Sequence, residues 1–318
     1  MKGSAEEMYI LLAMPDAEDY HKDLREKFPD LQIHAVTSEE GIRPHADKVD
    51  ILITLYRVAD DILKQTTNLK WIQVITSGVN YLLSRPSLRK DIIITSGRGI
   101  HGPQVSEMAI LLMLALNRNF PENVRNQDKR AWVRWKSKLL YQKNVAIVGV
   151  GVIGEQLARK CKAFGMTVYG IDIVKRDLDC VDFFYGPEDL LNVAGEVDYL
   201  VLVAPSTPET QKIAGKQLLA KMKPTAFLLN VARGELVDDA ALMEALDRGQ
   251  IAGAALDALS TEPLPADHPL WHAKNLIITP HVAGEADMYR KQIMPIIEEN
   301  LRKFLSGERR NLVNFIER

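Results

Sequence analysis

Short apolar runs alternate with polar, helix-like stretches along the first hundred residues of the chain. The runs are rich in aliphatic and β-branched residues, and the stretch 16–28 between two of them is charged and amphipathic. Short strands of this kind, separated by helical segments, predict βαβ units and a parallel sheet. The predicted strands are 8–14, 31–36, 51–55, 71–76 and 91–96.

The same alternation resumes at Asn144 and continues to Ile278, which predicts a second parallel sheet. Its apolar runs are NVAIVG, TVYGID, YLVLVA, AFLLN, GAALD and NLIIT. Between the two regions, a stretch that opens near Pro103 is apolar nearly all round and predicts a buried helix. The tail 287–318 predicts one more amphipathic helix followed by a frayed end.

The polar stretch 120–143 follows the predicted buried helix and contains the run RAWVRWK. Its tryptophans, Trp132 and Trp135, are three positions apart and would share one face of a helix. We interpret this stretch as a packing or dimer-contact segment rather than a surface for stacking bases.

Composition limits the classes of protein to which the chain can belong. A length of 318 residues fits two domains or one large α/β domain. Hydrophobic residues at 47% and charged residues at 26% are ordinary globular values. A net charge of −2 gives no electrostatic reason to bind nucleic acid or an anionic membrane. The apolar run Met108–Leu116 is too short to span a membrane.

The N-terminus and the cysteines of the chain both predict a cytoplasmic location. Glu6 and Glu7 precede the first apolar run, whereas a signal peptide has a basic start and a longer apolar region. Cys161 and Cys180 are the only cysteines, and neither has zinc-type spacing. We therefore expect reduced structural thiols, no metal site and a cytoplasmic protein.

A glycine-rich loop follows the first strand of the second region. The strand NVAIV runs directly into GVGVIG and then into a helix. In this setting Gly149 permits the tight turn, Gly151 lets the backbone approach a pyrophosphate, and Gly154 allows close helix–strand packing. The amides and dipole of the helix N-terminus then stabilise the phosphate charge. The order of strand, glycines, helix and second strand predicts a dinucleotide site.

An acidic residue ends the next strand. Asp172 stands 23 positions after Gly149, where a carboxylate accepts hydrogen bonds from an adenosine ribose and repels a 2′-phosphate. Lys175 and Arg176 lie directly behind it and weaken that repulsion. The sequence therefore favours NAD, with NADP as the alternative.

Polar side chains follow three later strands, at the edge where open α/β sheets place their chemistry. Arg233 follows AFLLN, Asp257 ends GAALD with Glu262 in the next loop, and His281 follows NLIIT. An arginine fork suits a carboxylate or a polarised carbonyl. A histidine oriented by a carboxylate suits proton exchange with a hydroxyl or ketone. Each residue alone is ordinary, but together they indicate an active site.

These residues belong to motifs that resemble the D-isomer-specific 2-hydroxyacid dehydrogenase family, and in particular its glyoxylate/hydroxypyruvate reductases. The motifs are GVGVIG, APSTPET, NVARGELVD, GAALDALSTEPLP, HPLW and TPHVAG, in family order between about 77 and 284. The resemblance implies two Rossmann/flavodoxin-like parallel-sheet α/β domains. The NAD-binding domain, 101–285, would be inserted in a substrate-binding domain formed by 1–100 and 286–318.

The resemblance also implies roles for individual residues. Arg233 would clamp the substrate, His281 would be the acid/base, and Glu262 would hold the imidazole. The loop Ser77, Gly78 and Val79 would bind the substrate together with Arg233 and His281. The amides of Gly78 and Val79 would hold its carboxylate. The implied cofactor-binding residues are Gly149, Gly151, Val152, Ile153, Gly154, Asp172, Pro205, Thr210, Val231, Ala232, Asp257 and Gly284, with Asp257 near the nicotinamide carboxamide.

The implied activity is the reversible NAD(P)H-dependent reduction of a small 2-keto acid to a D-2-hydroxy acid by a homodimer, with no nucleic-acid or membrane partner. An alternative is a catalytically weak, nucleotide-sensing protein-binding module, because the C-terminal-binding corepressors resemble the same family. A formate dehydrogenase fits less well, because those enzymes pair the histidine with glutamine and this chain has Glu262.

Some positions depart from the family pattern. The segment before the nucleotide strand usually resembles LxGKxxGIIG, whereas Gln142 stands here in place of the glycine. Asn80 replaces an aspartate that many members carry. The candidate selectors of the substrate side chain are Leu55, Tyr56, Arg57, the Trp132–Trp135 segment and Met288, and an inward-pointing Arg57 would favour a second acidic group.

Overall fold

A computed structural model of the chain describes residues 8–318. The chain divides into two compact units, one formed by residues up to Ile100 together with Ala286–Arg318, and the other by His101–Glu285. The second unit therefore interrupts the first in sequence. The first seven residues, which the sequence assigns to the substrate-binding domain, lie outside the described residues.

Strands and helices alternate through most of both units. The strands are β1 (Tyr9–Ala13), β2 (Gln32–Val36), β3 (Ile51–Thr54), β4 (Trp71–Val74), β5 (Ile93–Thr95), β6 (Asn144–Val148), β7 (Thr167–Ile171), β8 (Phe183–Tyr185), β9 (Tyr199–Leu202), β10 (Phe227–Asn230), β11 (Gly253–Leu256) and β12 (Leu276–Ile278). The helices are α1 (Ala17–Lys27), α2 (Asp60–Leu63), α3 (Asn80–Leu83), α4 (Gly102–Asn117), α5 (Phe120–Asp128), α6 (Val152–Ala163), α7 (Leu190–Ala194), α8 (Lys216–Lys221), α9 (Asp239–Asp247) and α10 (Tyr289–Leu305).

The first unit contains a parallel sheet with the strand order β2-β1-β3-β4-β5, which is the flavodoxin-like order. The sheet is buried on both faces, because Ile10 and Leu12 contribute to one hydrophobic core and Leu11 and Ala13 to another. Strands covered on both sides read as continuous apolar runs, which is why the sequence revealed β1, β3 and β4.

The chain after α10 packs onto the first sheet, so the expectation of a frayed end was wrong. Phe315 forms an antiparallel bridge with Thr95, and the amide of Ile316 donates to the carbonyl of Ile94 at 2.9 Å. Leu312 is buried. The side chain of the buried Asn300 in α10 accepts a hydrogen bond from the amide of Val313 at 2.6 Å. These bonds anchor a segment that sequence periodicity does not reveal.

The second unit contains a parallel sheet with the order β12-β11-β10-β9-β6-β7-β8. Counted along this unit the order is 3-2-1-4-5-6-7, the doubly wound Rossmann order with one further strand. The strand β8 was not predicted, since it has three residues and its Phe183 is exposed. Helix α4 buries Val105, Ala109 and Met113 in the core of this unit, while Leu111 is exposed.

The prediction that Trp132 and Trp135 share a helical face was wrong. Helix α5 ends at Asp128, and the residues that contain both tryptophans form neither helix nor strand. Arg130 has a φ of 54°, a left-handed conformation that turns the chain out of the helix. The side chain of Trp132 is 94% exposed, so it packs against no core of its own chain.

Within residues 8–318, none of the helices has both the length and the apolar character needed to cross a membrane. Cys161 and Cys180 are both buried and free.

Candidate active site

The glycine loop joins β6 to α6 and matches the shape that a dinucleotide requires. Gly149 has a φ of 96°, and a Cβ atom there would lie 2.7 Å from backbone atoms of Ala204. A Cβ atom on Gly154 would lie 2.2 Å from the carbonyl oxygen of Gly149 and would push the helix away from the strand. A Cβ atom on Gly151 would meet nothing within 4 Å, so this side of the loop is open. The open backbone at a helix N-terminus fits the pyrophosphate of a dinucleotide.

Asp172 follows β7 and contacts the glycine loop directly. One carboxylate oxygen accepts from the amide of Val150 at 2.7 Å, and the other accepts from the amide of Val174 at 3.1 Å. An ionised carboxylate has about four acceptor sites, so these bonds leave acceptors for ribose hydroxyls. The guanidinium of Arg176 lies 3.8 Å from the carboxylate of Glu155, which partly neutralises its charge.

Two further turns bring four more of the predicted cofactor residues to the carboxyl ends of the second sheet. After β9, the hydroxyl of Thr210 donates to the carbonyl of Pro205 at 2.7 Å and accepts from the amide of Thr207 at 2.8 Å. After β10, Val231 and Ala232 are buried beside the arginine loop.

His281 and Glu262 form a hydrogen-bonded pair. The Nδ1 atom of His281 lies 2.9 Å from each carboxylate oxygen of Glu262. The same carboxylate accepts from the amide of Leu259 at 2.9 Å, which holds it in place. An ionised carboxylate can only accept, so Nδ1 carries the proton of the pair. A carboxylate that holds Nδ1 is an arrangement that suits proton exchange at Nε2.

Asp257 follows β11 and binds the backbone on either side of His281. Its buried carboxylate accepts hydrogen bonds from the hydroxyl of Thr279 and from the amides of Val282 and Ala283. His281 itself has a φ of 54°, in the left-handed region. The sequence predicted Asp257 for its position at a strand end, but it gave no sign of these contacts.

The arginine loop packs directly against the loop that carries Glu262. Asn230, which is fully buried at the end of β10, donates from its side-chain amide to the carbonyl of Arg233 at 2.8 Å. A Cβ atom on Gly234 would lie 1.9 Å from the backbone of Leu259, so only glycine allows this approach. The guanidinium of Arg233 donates to the carbonyl of Ala232 at 2.7 Å and keeps further N–H donors.

The structure adds His101, which the sequence did not single out. It directly precedes α4 and is 8% exposed. Burial, and secondarily the charge of Arg233, lower the pKa of His101 to about 4. A Cβ atom on Gly284 would lie 3.4 Å from the His101 ring, so this imidazole contacts the end of the loop that carries His281. A histidine at the start of an apolar helix is the one sequence signal that marks it.

The predicted substrate loop lies in the first unit, after β4. Ser77 and Gly78 are half-buried and Val79 is buried. The hydroxyl of Thr76 lies 3.4 Å from the carbonyl oxygen of Gly78.

Arg57, the candidate selector, follows β3 in the same unit. Its guanidinium lies 5.7 Å from the centre of the Tyr81 ring. The side chain of Arg57 is exposed. Tyr81 beside it is partly buried, and this burial raises the pKa of its hydroxyl to about 12. The loops after β3 and β4 stand side by side, because these parallel strands are neighbours.

Comparison with known proteins assigns the family. Residues 110–283 match the model of the D-isomer specific 2-hydroxyacid dehydrogenase, NAD binding domain. The chain belongs to the D-isomer specific 2-hydroxyacid dehydrogenase family. This confirms the resemblance seen in the motifs, and it makes the second unit the NAD-binding domain of the family.

Relatives of this chain carry several different names. The chain is 32% identical over 312 residues to a D-3-phosphoglycerate dehydrogenase of Methanocaldococcus jannaschii, an alignment covering 96% of this chain and 59% of that protein. The chain thus spans about three fifths of the length of that relative. It is 30% identical to a glyoxylate reductase of Korarchaeum cryptofilum over 88% of this chain and 87% of that protein.

A solved structure confirms the predicted fold class. The D-isomer specific 2-hydroxyacid dehydrogenase family protein from Aeromonas salmonicida superimposes with a TM-score of 0.91 and 31% identity, covering 98% of this chain and 99% of that one. Two parallel-sheet α/β units, one interrupting the other, are therefore shared with a member of the family.

Proposed function

We propose that this dehydrogenase reduces a small 2-keto acid to the D-2-hydroxy acid with NADH, reversibly. The hydrogen-bonded pair of His281 and Glu262, at the carboxyl ends of the NAD-binding sheet, carries the proposal. A carbonyl reduction needs a proton donor at a fixed position, and an imidazole held by a carboxylate supplies one at neutral pH.

The residues divide the chemistry among them. The reduced nicotinamide supplies the hydride when the cofactor is bound. His281, as the imidazolium, donates its Nε2 proton to the carbonyl oxygen and becomes neutral, and in the reverse direction the neutral imidazole takes the hydroxyl proton on Nε2. Glu262 holds Nδ1–H throughout and stabilises the imidazolium form. Arg233 binds the substrate carboxylate through its remaining N–H donors, since a guanidinium matches a carboxylate in two parallel hydrogen bonds. A role for Ser77, Gly78 and Val79 in binding that carboxylate remains a prediction.

We propose NADH as the preferred cofactor. The Asp172 carboxylate stands beside the glycine loop through its bond to Val150 and would repel the 2′-phosphate of NADPH. Arg176, the neighbouring charge that would favour NADPH, is drawn toward Glu155. We expect use of NADPH to be weaker rather than absent, because Lys175 stands close to Asp172 in sequence.

We further propose that the enzyme works as a cytoplasmic homodimer. Trp132 and Val133 are exposed, as are Leu139 and Tyr141 in the same stretch. Large apolar side chains exposed close together in one segment are typical of a protein–protein contact. Free buried cysteines are consistent with a reducing compartment.

A substrate panel tests the proposed reaction. Glyoxylate, hydroxypyruvate, pyruvate, phenylpyruvate and 2-ketoisocaproate are each supplied with NADH and with NADPH, and cofactor oxidation is followed. We expect at least one acid to be reduced with NADH, and chiral products to be the D isomer on a chiral column. An L product, or no oxidation with any acid combined with binding of hydrophobic peptides, would contradict the proposal and favour the corepressor-like alternative.

A further inference from the structure

The buried carboxylate of Asp257 accepts several hydrogen bonds from the loop of His281, and proton exchange at His281 does not by itself require them. The side chain is 1% exposed. Its Oδ1 atom accepts from the hydroxyl of Thr279 at 2.5 Å and from the amide of Val282 at 3.1 Å. Its Oδ2 atom accepts from the amide of Ala283 at 2.9 Å. A buried carboxylate is stable in the ionised form only when donors surround it, and all three donors here belong to one short loop.

That loop is the one that carries His281. Thr279 precedes the histidine, and Val282 and Ala283 follow it, so the carboxylate bonds both flanks of a single residue. The backbone carbonyl of Asp257 also accepts from the amide of His281 at 2.9 Å. Asp257 thus fixes the backbone before, at and after the imidazole-bearing residue.

The conformation of His281 needs such a restraint. Its φ of 54° lies in the left-handed region, where the Cβ atom crowds the following carbonyl and which residues other than glycine rarely adopt. In this conformation Nδ1 reaches both oxygens of Glu262 at 2.9 Å. A relaxed φ would rotate the Cβ atom and carry the ring away from that carboxylate. Non-glycine residues in strained conformations persist where the surroundings over-determine them.

We propose that Asp257 is a positioning residue, whose carboxylate holds the His281 loop in the conformation that seats the imidazole on Glu262. This inference deepens the proposed function and rests on it. It differs from a role for Asp257 at the nicotinamide carboxamide, because here the carboxylate acts through the protein backbone. Oδ2 accepts one bond from the loop, so the two roles are not exclusive and an experiment must separate them.

The first variant is Asp257→Asn, which keeps the size of the side chain but replaces one carboxylate oxygen with an NH₂ group, so that at least one loop donor faces another donor. We expect its kcat with NADH to fall at least about a hundredfold, since misplacement of a proton donor removes most of general acid catalysis. The dissociation constant of NADH, measured by fluorescence, should change less than threefold. Asp267→Asn, at an exposed carboxylate outside the loop, serves as the matched control and should leave kcat unchanged.

A second pair of variants changes the partner of Asp257, the hydroxyl of Thr279, instead of the carboxylate. Thr279→Val removes the hydroxyl that donates to Oδ1 and should lower kcat about tenfold, whereas Thr279→Ser keeps a hydroxyl and should recover most of that loss. Melting temperatures of all variants are measured alongside, so that loss of fold is not mistaken for loss of positioning. Equal kcat values for the valine and serine variants would contradict the proposal.

A cofactor analogue separates positioning from contact with the carboxamide. Reduced 3-acetylpyridine adenine dinucleotide has a methyl ketone in place of the carboxamide and so lacks its N–H donors. If Asp257 acts through the loop, Asp257→Asn loses the same factor in kcat with the analogue as with NADH. If the loss disappears with the analogue, Asp257 acts through the cofactor and the inference is wrong.

A crystal structure of Asp257→Asn tests the inference without any substrate, so its outcome is independent of the proposed reaction. We expect His281 to leave the left-handed region and its Nδ1 atom to move out of hydrogen-bond distance of Glu262. An unchanged His281 in that structure would overturn the inference even if the wild-type enzyme reduces 2-keto acids. Failure of the wild type on the whole substrate panel would instead overturn the proposed function.

Discussion

Three buried polar side chains lie near the carboxyl-terminal edge of the second sheet: Asn230, Asp257 and His101. An apolar side chain in such a position would lose no hydrogen bonds to water, whereas each of these does. Burying a polar group costs free energy unless hydrogen bonds replace its water. Asn230 ties the Arg233 loop to the carbonyl of Ala258, and Asp257 ties down the loop of His281. These buried hydrogen bonds therefore hold in place the loops of the residues that we propose for chemistry.

The carboxylate of Asp172 provides a test of cofactor choice. Asp172→Asn keeps an acceptor for the amide of Val150 but removes the charge that repels a 2′-phosphate. We expect the ratio of kcat/KM for NADH over NADPH to fall about tenfold or more, since like charges in contact are costly. Steady-state kinetics with both cofactors measures it, and Ile173→Ala, which changes an exposed neighbour, is the control. An unchanged ratio would remove Asp172 from the discrimination.

His101 provides a test of stability against pH. Its pKa falls from 6.5 to about 4 on folding, so the unfolded chain binds more protons in that window. Stability contributed by the neutral imidazole is therefore complete above pH 6.5 and is lost as the pH falls toward 4, by roughly 3 kcal/mol. Guanidinium unfolding of wild type and His101→Asn at several pH values measures this. Parallel stability curves for the two proteins between pH 7 and 4 would contradict the assignment.

Among the strands and helices, the sequence predicts most clearly the strands whose side chains are buried on both faces of a sheet. β1 and β9 are uninterrupted apolar runs, and their position in a parallel sheet follows from that pattern. β8 was not predicted because none of its residues is buried and its Phe183 is exposed. The helix expected at Trp132 failed because the left-handed Arg130 ends α5 first, a backbone choice that side-chain spacing does not encode.

Gln142 provides a test at the turn into β6. It has a φ of 59° and stands where family members usually carry glycine. Gln142→Gly should raise the free energy of unfolding by roughly 0.5–1 kcal/mol, because glycine lacks the Cβ atom that makes this region costly. Gln142→Ala keeps the Cβ atom and is the matched control. Urea unfolding compares the three proteins, and a glycine variant no more stable than the alanine variant would show that the turn carries no strain.

In the whole molecule, the candidate site could be predicted because most of the motifs follow a strand of the NAD-binding sheet. Arg233, Glu262 and His281 were found from the rule that ligands bind beyond the carboxyl ends of parallel strands. The same rule did not point to His101, because this residue directly precedes helix α4 and does not follow a strand of the second sheet. Likewise, the bonds between Asp257 and the His281 loop depend on a register that one sequence does not specify.

The exposed segment at Trp132 provides a test of assembly. If it is the dimer contact, sedimentation should give about twice the 35.7 kDa mass of one chain. Trp132→Glu places a charge in that contact and should raise the dimer dissociation constant at least about tenfold. Ile173→Glu changes another exposed residue and should leave the dimer intact. A monomeric wild type, or an unaffected Trp132→Glu dimer, would contradict this assignment.

In the proposed reaction His281 exchanges the proton during reduction of a 2-keto acid, and turnover of His281→Ala with the best acid of the panel measures that role. We expect kcat to fall by about 10²–10⁴-fold, the usual contribution of general acid catalysis, while NADH still binds with its wild-type dissociation constant. Glu262→Gln, which keeps a hydrogen-bond partner for Nδ1 but not the charge, should fall between wild type and His281→Ala. Turnover of His281→Ala within a few-fold of wild type would contradict the account.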